Sequence, residues 1–373
     1  MIYLLLAGRV LLFLAGLALV GATLGSSVRT VILPRASVSV ITRMVFLIAR
    51  QVYDIRIGRR ASFERRDAIL ASYAPVTLLL LLATWIALIL IGFQLMFVAI
   101  GNGPFQAFQI SGSSVLTLGF SAPRDLPNTL LVLLEGLIGL TELALLISYL
   151  PAMYAAFQRR EAFVNKLEVR AGSPPSGVVM LERFQRLHGL EHLSLEVWEQ
   201  WEDWFIDVEE THTSLPVLAF FRSPRPDRSW ITAAGAVLDG AALYASALHG
   251  RDGHDSHADL CLRAGYLALR AICEYFQIPF NASPQRGDPI SITRSEYDGA
   301  CERLRASGLP VRGDRDAAWE DFAGWRVNYD EPLLLLAGLV SAPYATWSSD
   351  RGSLRRPNLF RLLLGLQAGR RSP

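Results

Sequence analysis

Five consecutive residues, Thr117-Leu118-Gly119-Phe120-Ser121, have types that suit the coordination of a desolvated cation. Backbone carbonyls that all point to one axis require a chain that alternates between right- and left-handed conformations. Glycine adopts the left-handed conformation without steric cost, and the hydroxyl of Thr117 would add a further oxygen. Rings of such oxygens replace the hydration shell of an ion. The segment therefore predicts a cation-binding site built mainly from backbone.

This segment lies in an uncharged stretch that is too long for one membrane crossing. No Asp, Glu, Lys or Arg occurs from Ala68 to Pro123, whereas one helical crossing needs ~20 residues. Polar and helix-breaking residues gather in its second half. Non-helical backbone is tolerated at membrane depth only where protein or water satisfies its hydrogen-bonding groups. The stretch predicts a spanning helix, a short helix over about 104–115 that enters the membrane, and an extended return to the same side.

Three apolar segments, 2–24, 75–100 and 127–150, predict transmembrane helices. Basic residues precede the second segment and follow the third, so the positive-inside rule places both flanks in the cytoplasm and the loop 104–122 outside. The segment 37–57 is apolar at helical spacing but carries two arginines. It predicts a helix lying in the inner interface, and a second crossing is the alternative.

The segments from 72 to 156 resemble the pore module of the tetrameric potassium-channel superfamily. The resemblance rests on an outer helix, a pore helix, the filter-like Thr117–Ser121 and an inner helix that contains glycines. It implies four copies of the chain, K⁺ as the permeant ion and no cofactor. Ser121 stands where the family has its second filter glycine, and the acid that usually follows the filter is absent. We therefore expect a conducting pore with relaxed selectivity.

The third apolar segment carries carboxylates at membrane depth. Glu135, Gly139, Glu142 and Leu146 share one helix face, and intramembrane carboxylates usually face a bundle interior or a water-filled cavity. In a fourfold pore, Glu142, Gly139 and Leu146 would line the conduction path, with Gly136 or Gly139 as a gating bend. For Glu142 the alternative is a hydrogen bond to the pore helix of its own or a neighbouring subunit, and for Glu135 we expect that supporting role.

Beyond a Gly-, Ser- and Pro-rich linker, the sequence becomes more polar and predicts an all-helical cytosolic domain. Its predicted helices cover 179–188, 193–210, 230–248, 256–276, 292–307 and 314–328. His249, His254 and His257 could bind a divalent metal, but their spacing matches no known motif and we expect no metal site. The three cysteines are scattered and predict reduced thiols.

Composition agrees with a membrane protein, since 51% of residues are hydrophobic and 19% are charged. Lys166 is the only lysine among 36 basic residues, a bias typical of a GC-rich bacterial genome. No phosphate-binding loop or nucleophile elbow occurs, so we expect no enzyme and no nucleic-acid partner.

The expected protein is all-α, an integral membrane helical domain with a re-entrant pore loop followed by an all-helical cytosolic domain, in the inner (plasma) membrane. Its parts are a transmembrane helix (1–25), a basic interfacial segment (26–71), the pore module (72–156), the helical domain (178–350) and a basic tail (351–373). The expected function is a homotetrameric, potassium-conducting cation channel. The alternatives are a membrane-anchored interaction or signalling protein and a tethered metal-dependent enzyme.

Overall fold

The structure is a computed structural model that describes residues 2–33, 39–58, 61–123, 125–187, 193, 197–249 and 255–351. All regular elements in these residues are helical and no strand occurs among them, which confirms the predicted all-α class. The α-helices of this part of the chain are α1 (Ile2–Val31), α2 (Val40–Ile57), α3 (Phe63–Ala71), α4 (Tyr73–Ala99), α5 (Pro104–Val115), α6 (Leu126–Ala171), α7 (Gly177–Leu187), α8 (Glu199–Ser214), α9 (Trp230–Leu243), α10 (Ser256–Tyr275), α11 (Arg294–Ala306), α12 (Arg315–Arg326) and α13 (Asp330–Val340).

The predicted helices agree with these bounds. The three predicted transmembrane segments lie in α1, α4 and α6, and α6 continues beyond its prediction to Ala171. Each of the six helices predicted beyond residue 178 overlaps one of the helices α7 to α12, and α13 lies outside the predicted set. The basic tail lies almost entirely outside the described residues.

Local sequence accounts for several helix starts. Pro104 lies in the first turn of α5 after the extended Gly103, a position where the missing proline N–H costs nothing. Thr293 and Glu296 form a reciprocal capping box at the start of α11, and the side chain of Asp255 caps α10. Each cap is worth about 1 kcal/mol.

In the part of the chain that the structure describes, four helical segments are long and apolar enough to cross a membrane: Ile2–Val31, Phe63–Ala99, Leu126–Ala171 and Trp230–Leu248. The protein is therefore a multi-pass membrane protein by the length and composition of its helices. In the fourth segment almost every residue is covered by other parts of the chain, whereas most of the first and third segments is uncovered. The arginine-bearing α2 does not belong to this set.

The described chain forms two compact units, of which the first comprises Met1–Arg56 and Ser72–Tyr154. Here α1 and α4 approach closely, because a Cβ added to Gly16 would lie 2.4 Å from the carbonyl oxygen of Gly92. Small residues permit such backbone approach between apolar helices. Ser26 of α1 accepts a hydrogen bond of 3.1 Å from the indole nitrogen of Trp85 in α4, so a polar contact fixes the register of the pair.

The second unit comprises Ile57–Ala71 and Ala155–Pro373. Its centre is α9, in which all 14 residues are buried. The helices α7, α10, α12 and α13 pack against α9, and a Cβ added to Gly177 of α7 would lie 2.4 Å from the backbone nitrogen of Gly240. Trp198, Trp201 and Trp204, which recur every three residues, belong to this core.

Candidate functional site

The short helix α5 is held against two longer helices of the first unit by its serines. The hydroxyl oxygen of Ser111 lies 3.0 Å from the carbonyl oxygen of Leu90 in α4 and 2.5 Å from Oε1 of Glu135 in α6. Ser114 donates a hydrogen bond of 2.6 Å to the carbonyl oxygen of Val132 in α6. These contacts fix α5 in register with both of its neighbours.

The filter-like segment begins with a compact turn at the C-terminus of α5. The N–H groups of Thr117 and Leu118 donate to the carbonyl oxygens of Ser114 and Ser113, both at 2.9 Å. Thr117 is left-handed, with φ of 54°. This pattern of bonds and dihedral is a Schellman motif, which satisfies the terminal carbonyls of a helix. The conformation of Thr117 therefore follows from helix termination and needs no bound ion.

Beyond this turn the segment contains one further left-handed residue, Gly119, with φ of 69°. A residue with a side chain would be strained there, although a Cβ would meet no neighbouring atom within 4 Å. Ser121 is not left-handed, and its N–H donates a hydrogen bond of 3.1 Å to the hydroxyl of Ser113. Ser121 stands where the resemblance implies a second glycine, and its backbone there has a conformation that serine adopts readily.

The side chains of the filter-like segment are uncovered in a single chain. Leu118 and Phe120 are each 62% exposed, and the neighbouring Leu116 is 49% exposed. Backbone contacts to Ser113 fold the segment back on α5 without covering these apolar groups. Exposed apolar side chains on an ordered polar turn indicate that lipid or another copy of the chain covers them.

Two of the three residues predicted to line a conduction path, Glu142 and Gly139, contact other helices of the same chain. Glu142 is buried, and its Oε1 accepts a hydrogen bond of 2.6 Å from the hydroxyl of Ser27 in α1. Gly139 lies against the end of α5, where an added Cβ would be 2.4 Å from the carbonyl oxygen of Val115. Leu146 is half-buried. Glu135 contacts Ser111, the type of support expected for it.

Sequence reasoning placed the support of Glu135 on the short helix but identified neither serine partner of these carboxylates. Ser27 lies 115 positions before Glu142, and Ser111 lies 24 positions before Glu135. A signal for such partners is a serine in an otherwise apolar stretch, since a carboxyl group at membrane depth requires a polar neighbour. That signal gives the type of partner but not which of several serines it is.

The described residues contain no group of three His, Cys, Asp or Glu residues placed to hold a metal ion. His257 lies in the first turn of α10, where its backbone N–H donates to the side chain of Asp255 at 3.0 Å. His254 and the side chain of His249 lie outside the described residues.

The three cysteines are free and buried. Burial raises the pKa of the Cys273 thiol, so this thiol is not a reactive nucleophile.

Comparisons with known proteins returned no match: no family model, no curated protein and no solved structure matches this chain.

Proposed function

We propose that the chain is a cation channel that conducts potassium, with a filter formed by Thr117–Ser121 from four copies. The permeating ion exchanges water for backbone carbonyl oxygen, and no covalent step or cofactor takes part. The first unit, here named the membrane unit, supplies the pore. The second unit supports assembly or responds to a signal. In this proposal the loop 104–122 opens to the outside of the inner membrane and the C-terminal unit is cytosolic.

The observation that carries this proposal is the way α5 is held. At 1.5 Å per residue its 12 residues span about 18 Å, which is too short for a hydrocarbon core of about 30 Å. Yet both Ser111 and Ser114 bond to the longer helices beside it. A short helix fixed between spans, followed by an exposed polar turn, is the arrangement that a re-entrant pore loop requires.

The backbone of the turn supports the same proposal. Beyond the helix-terminating turn at Thr117, Gly119 is left-handed, which is the conformation that a filter of aligned carbonyls requires of its glycine. The exposed Leu118 and Phe120 would be covered by neighbouring copies once four filters meet around an axis. Ser121 does not adopt the left-handed conformation that the second filter glycine of the family would supply, so the outermost carbonyl ring is the weakest part of the proposed filter, which favours relaxed selectivity between K⁺ and Na⁺.

Gly119→Ala, compared with Gly101→Ala, tests the proposal in reconstituted vesicles. An added Cβ at either glycine meets nothing within 4 Å. Alanine costs ~1–2 kcal/mol at Gly119, whose φ is 69°, and more at Gly101, whose φ of 113° lies outside the left-handed well, so strain alone would harm the control at least as much. Only Gly119 belongs to the proposed filter. We expect K⁺ flux through the wild type and G101A, and at least a tenfold loss in G119A.

Failure has three distinct forms in this experiment. Absence of flux through the wild type, equal flux in both variants, or a strictly monomeric chain in detergent would each contradict a shared filter. A folded but non-conducting protein would instead support the second function predicted from sequence, a membrane-anchored interaction or signalling protein.

A further inference from the structure

One face of the helix α2 is fixed against α1 and α4 of the membrane unit. Near the start of α2, the hydroxyl oxygen of Thr42 lies 2.8 Å from that of Thr30 and 3.3 Å from that of Ser26, both in α1. One turn further on, the carbonyl oxygen of Phe46 accepts a hydrogen bond of 3.2 Å from the hydroxyl of Tyr73 in α4. These contacts determine which face of α2 is turned away from the rest of the unit.

The opposite face of α2 carries an uncovered apolar stripe. Its members recur every three or four residues, the spacing of one helix face. Each is between 43% and 81% exposed, and together they are named the α2 stripe: Val40, Met44, Ile48, Val52 and Ile55. Large apolar side chains that stay uncovered along one face mark a surface that meets a membrane or another protein.

Two exposed arginines lie at the ends of the α2 stripe. Arg56 is in the last turn of α2, and Arg29 directly precedes Thr30, which contacts the start of α2. Neither arginine has an ion pair or a side-chain hydrogen bond within the part of the chain that the structure describes. The single carboxylate of α2, Asp54, is paired with Arg50 at 3.2 Å. The positive charge at both ends of the stripe is therefore not neutralised by α2 itself.

A second copy of the membrane unit does not suit this surface. It would bring the same two arginines, Arg29 and Arg56, and like charges repel. The unit has four carboxylates, each of which is bonded to a side chain of its own chain: Asp54, Asp125, Glu135 and Glu142. A second copy would therefore cover the apolar stripe without supplying a partner for the arginines.

An anionic phospholipid supplies both parts of the missing cover. Its acyl chains suit the apolar side chains, and its phosphate accepts charge-assisted hydrogen bonds from a guanidinium group. Its net negative charge attracts basic residues near the membrane surface. Arginine side chains are long enough to reach a headgroup while their stems remain on apolar surface.

From these relationships we infer that the α2 stripe, with Arg29 and Arg56 at its ends, is a binding surface for anionic phospholipid. The inference gives a lipid class and two headgroup-binding residues to a helix for which the sequence predicted only an interfacial position. It rests on the membrane placement of the first unit and not on the proposed pore. A chain that conducts no ions would show the same lipid preference.

Quenching by brominated lipid tests this surface in the full-length protein. Ile48→Cys places a thiol in the α2 stripe, and the three native cysteines are buried, so a fluorescent label attaches selectively at position 48. Ile206→Cys in α8 is the control, because Ile206 is similarly exposed, 53% against 56% for Ile48, but belongs to the second unit. Phosphatidylcholine vesicles contain the same minor fraction of brominated phosphatidylglycerol or brominated phosphatidylcholine. We expect quenching at position 48 and not at position 206, and stronger quenching by phosphatidylglycerol.

A second arm tests the two arginines as the source of the preference. Arg29→Gln and Arg56→Gln are combined in the I48C protein. The matched control combines Arg263→Gln and Arg305→Gln, which remove two exposed arginines without an ion pair in the described part of the second unit. A basic residue near an anionic surface contributes about 1 kcal/mol, a factor of about five in relative affinity. We expect the preference for phosphatidylglycerol to fall about fivefold for each of Arg29 and Arg56, and to remain in the control.

Three results would overturn the assignment. Absence of quenching at position 48 would show that protein and not lipid covers the stripe. Equal quenching by the two lipids would show that the surface does not select anionic headgroups. A preference that survives R29Q/R56Q would exclude these arginines as its source. If I48C does not fold, Val52→Cys labels the same stripe, and the same outcomes apply to it.

Discussion

The hydroxyl oxygen of Ser27 lies 2.6 Å from Oε1 of Glu142, although 115 residues separate the two in the sequence. The same hydroxyl lies 3.0 Å from the carbonyl oxygen of Leu24 in its own helix. A hydroxyl has one hydrogen, so Ser27 cannot donate fully to both acceptors. The contact joins the first and last helices of the membrane unit, and it gives Glu142 a partner that is not an ion.

Replacement of Glu142 distinguishes an interhelical contact from a pore-lining charge. Glutamine can donate its N–H₂ group to Ser27 while Ser27 donates to Leu24, so we expect E142Q to keep both the melting temperature and the K⁺ flux. Alanine leaves Ser27 without this partner and opens a cavity, at a cost of about 2–4 kcal/mol. A large change in flux or in K⁺ over Na⁺ preference in stable E142Q would instead favour Glu142 as a charge that lines the conduction path.

Gly139→Ala tests whether α6 must approach the end of α5. An added Cβ would lie 2.4 Å from the carbonyl oxygen of Val115, which is backbone and cannot swing away, whereas at Gly136 the nearest atom is 3.6 Å distant. We expect G139A to destabilise the membrane unit by about 1–3 kcal/mol through overpacking. G136A should be neutral or slightly stabilising, since alanine favours helix by about 0.5–1 kcal/mol.

The measurement for this pair is the melting temperature of each variant in the same detergent, followed by ion flux. A gating bend at Gly139 would give another pattern. G139A would then fold as stably as G136A and would change only the open probability of the pore.

The sequence predicted α5 well because its determinants are local. Gly101 has the positive φ that follows the end of α4, Gly103 and Pro104 mark where a new helix starts, and the absence of charge indicates membrane depth. The role of Gly139 was not accessible in the same way. A glycine that permits a bend and a glycine that permits close packing look identical in sequence, and only the position of Val115 separates them.

Arg326 illustrates a second limit of sequence reasoning. It lies in the last turn of α12, where an arginine normally reaches solvent and favours the helix dipole. In the structure it is fully buried, and it bonds to Asp239, Asp330 and the carbonyl oxygen of Trp347. Its main partner is 87 residues away. Burial of this kind depends on tertiary packing and leaves no periodic signal.

His212 makes the stability of the second unit depend on pH. It is fully buried, with Nδ1 2.9 Å from the carbonyl oxygen of Val208 and Nε2 3.3 Å from a terminal nitrogen of Arg160. Nδ1 therefore carries the hydrogen, and the neutral Nε2 accepts from the guanidinium. Burial and then the positive charge of Arg160 hold the pKa of His212 well below its usual value.

The direction of the pH effect follows from proton uptake by the unfolded chain. Unfolded His212 binds a proton near pH 6.5, whereas the folded side chain does not. The contribution of His212 to the free energy of unfolding is therefore complete above pH 6.5. Below pH 6.5 the free energy of unfolding falls by about 1.4 kcal/mol per pH unit, until the pKa of His212 in the folded protein is reached. We expect the melting temperature of the second unit to fall between pH 7 and pH 5.5.

Tryptophan fluorescence can follow this transition in the intact chain, because Trp85 is the only one of the 8 tryptophans outside the second unit. The control is His212→Gln, whose amide can donate to Val208 or accept from Arg160 and does not titrate. The difference between the two melting curves isolates His212 from every other ionisable group. We expect H212Q to start from a lower melting temperature and to lose less of it on acidification. Parallel curves across this pH range would show that His212 does not set the acid sensitivity.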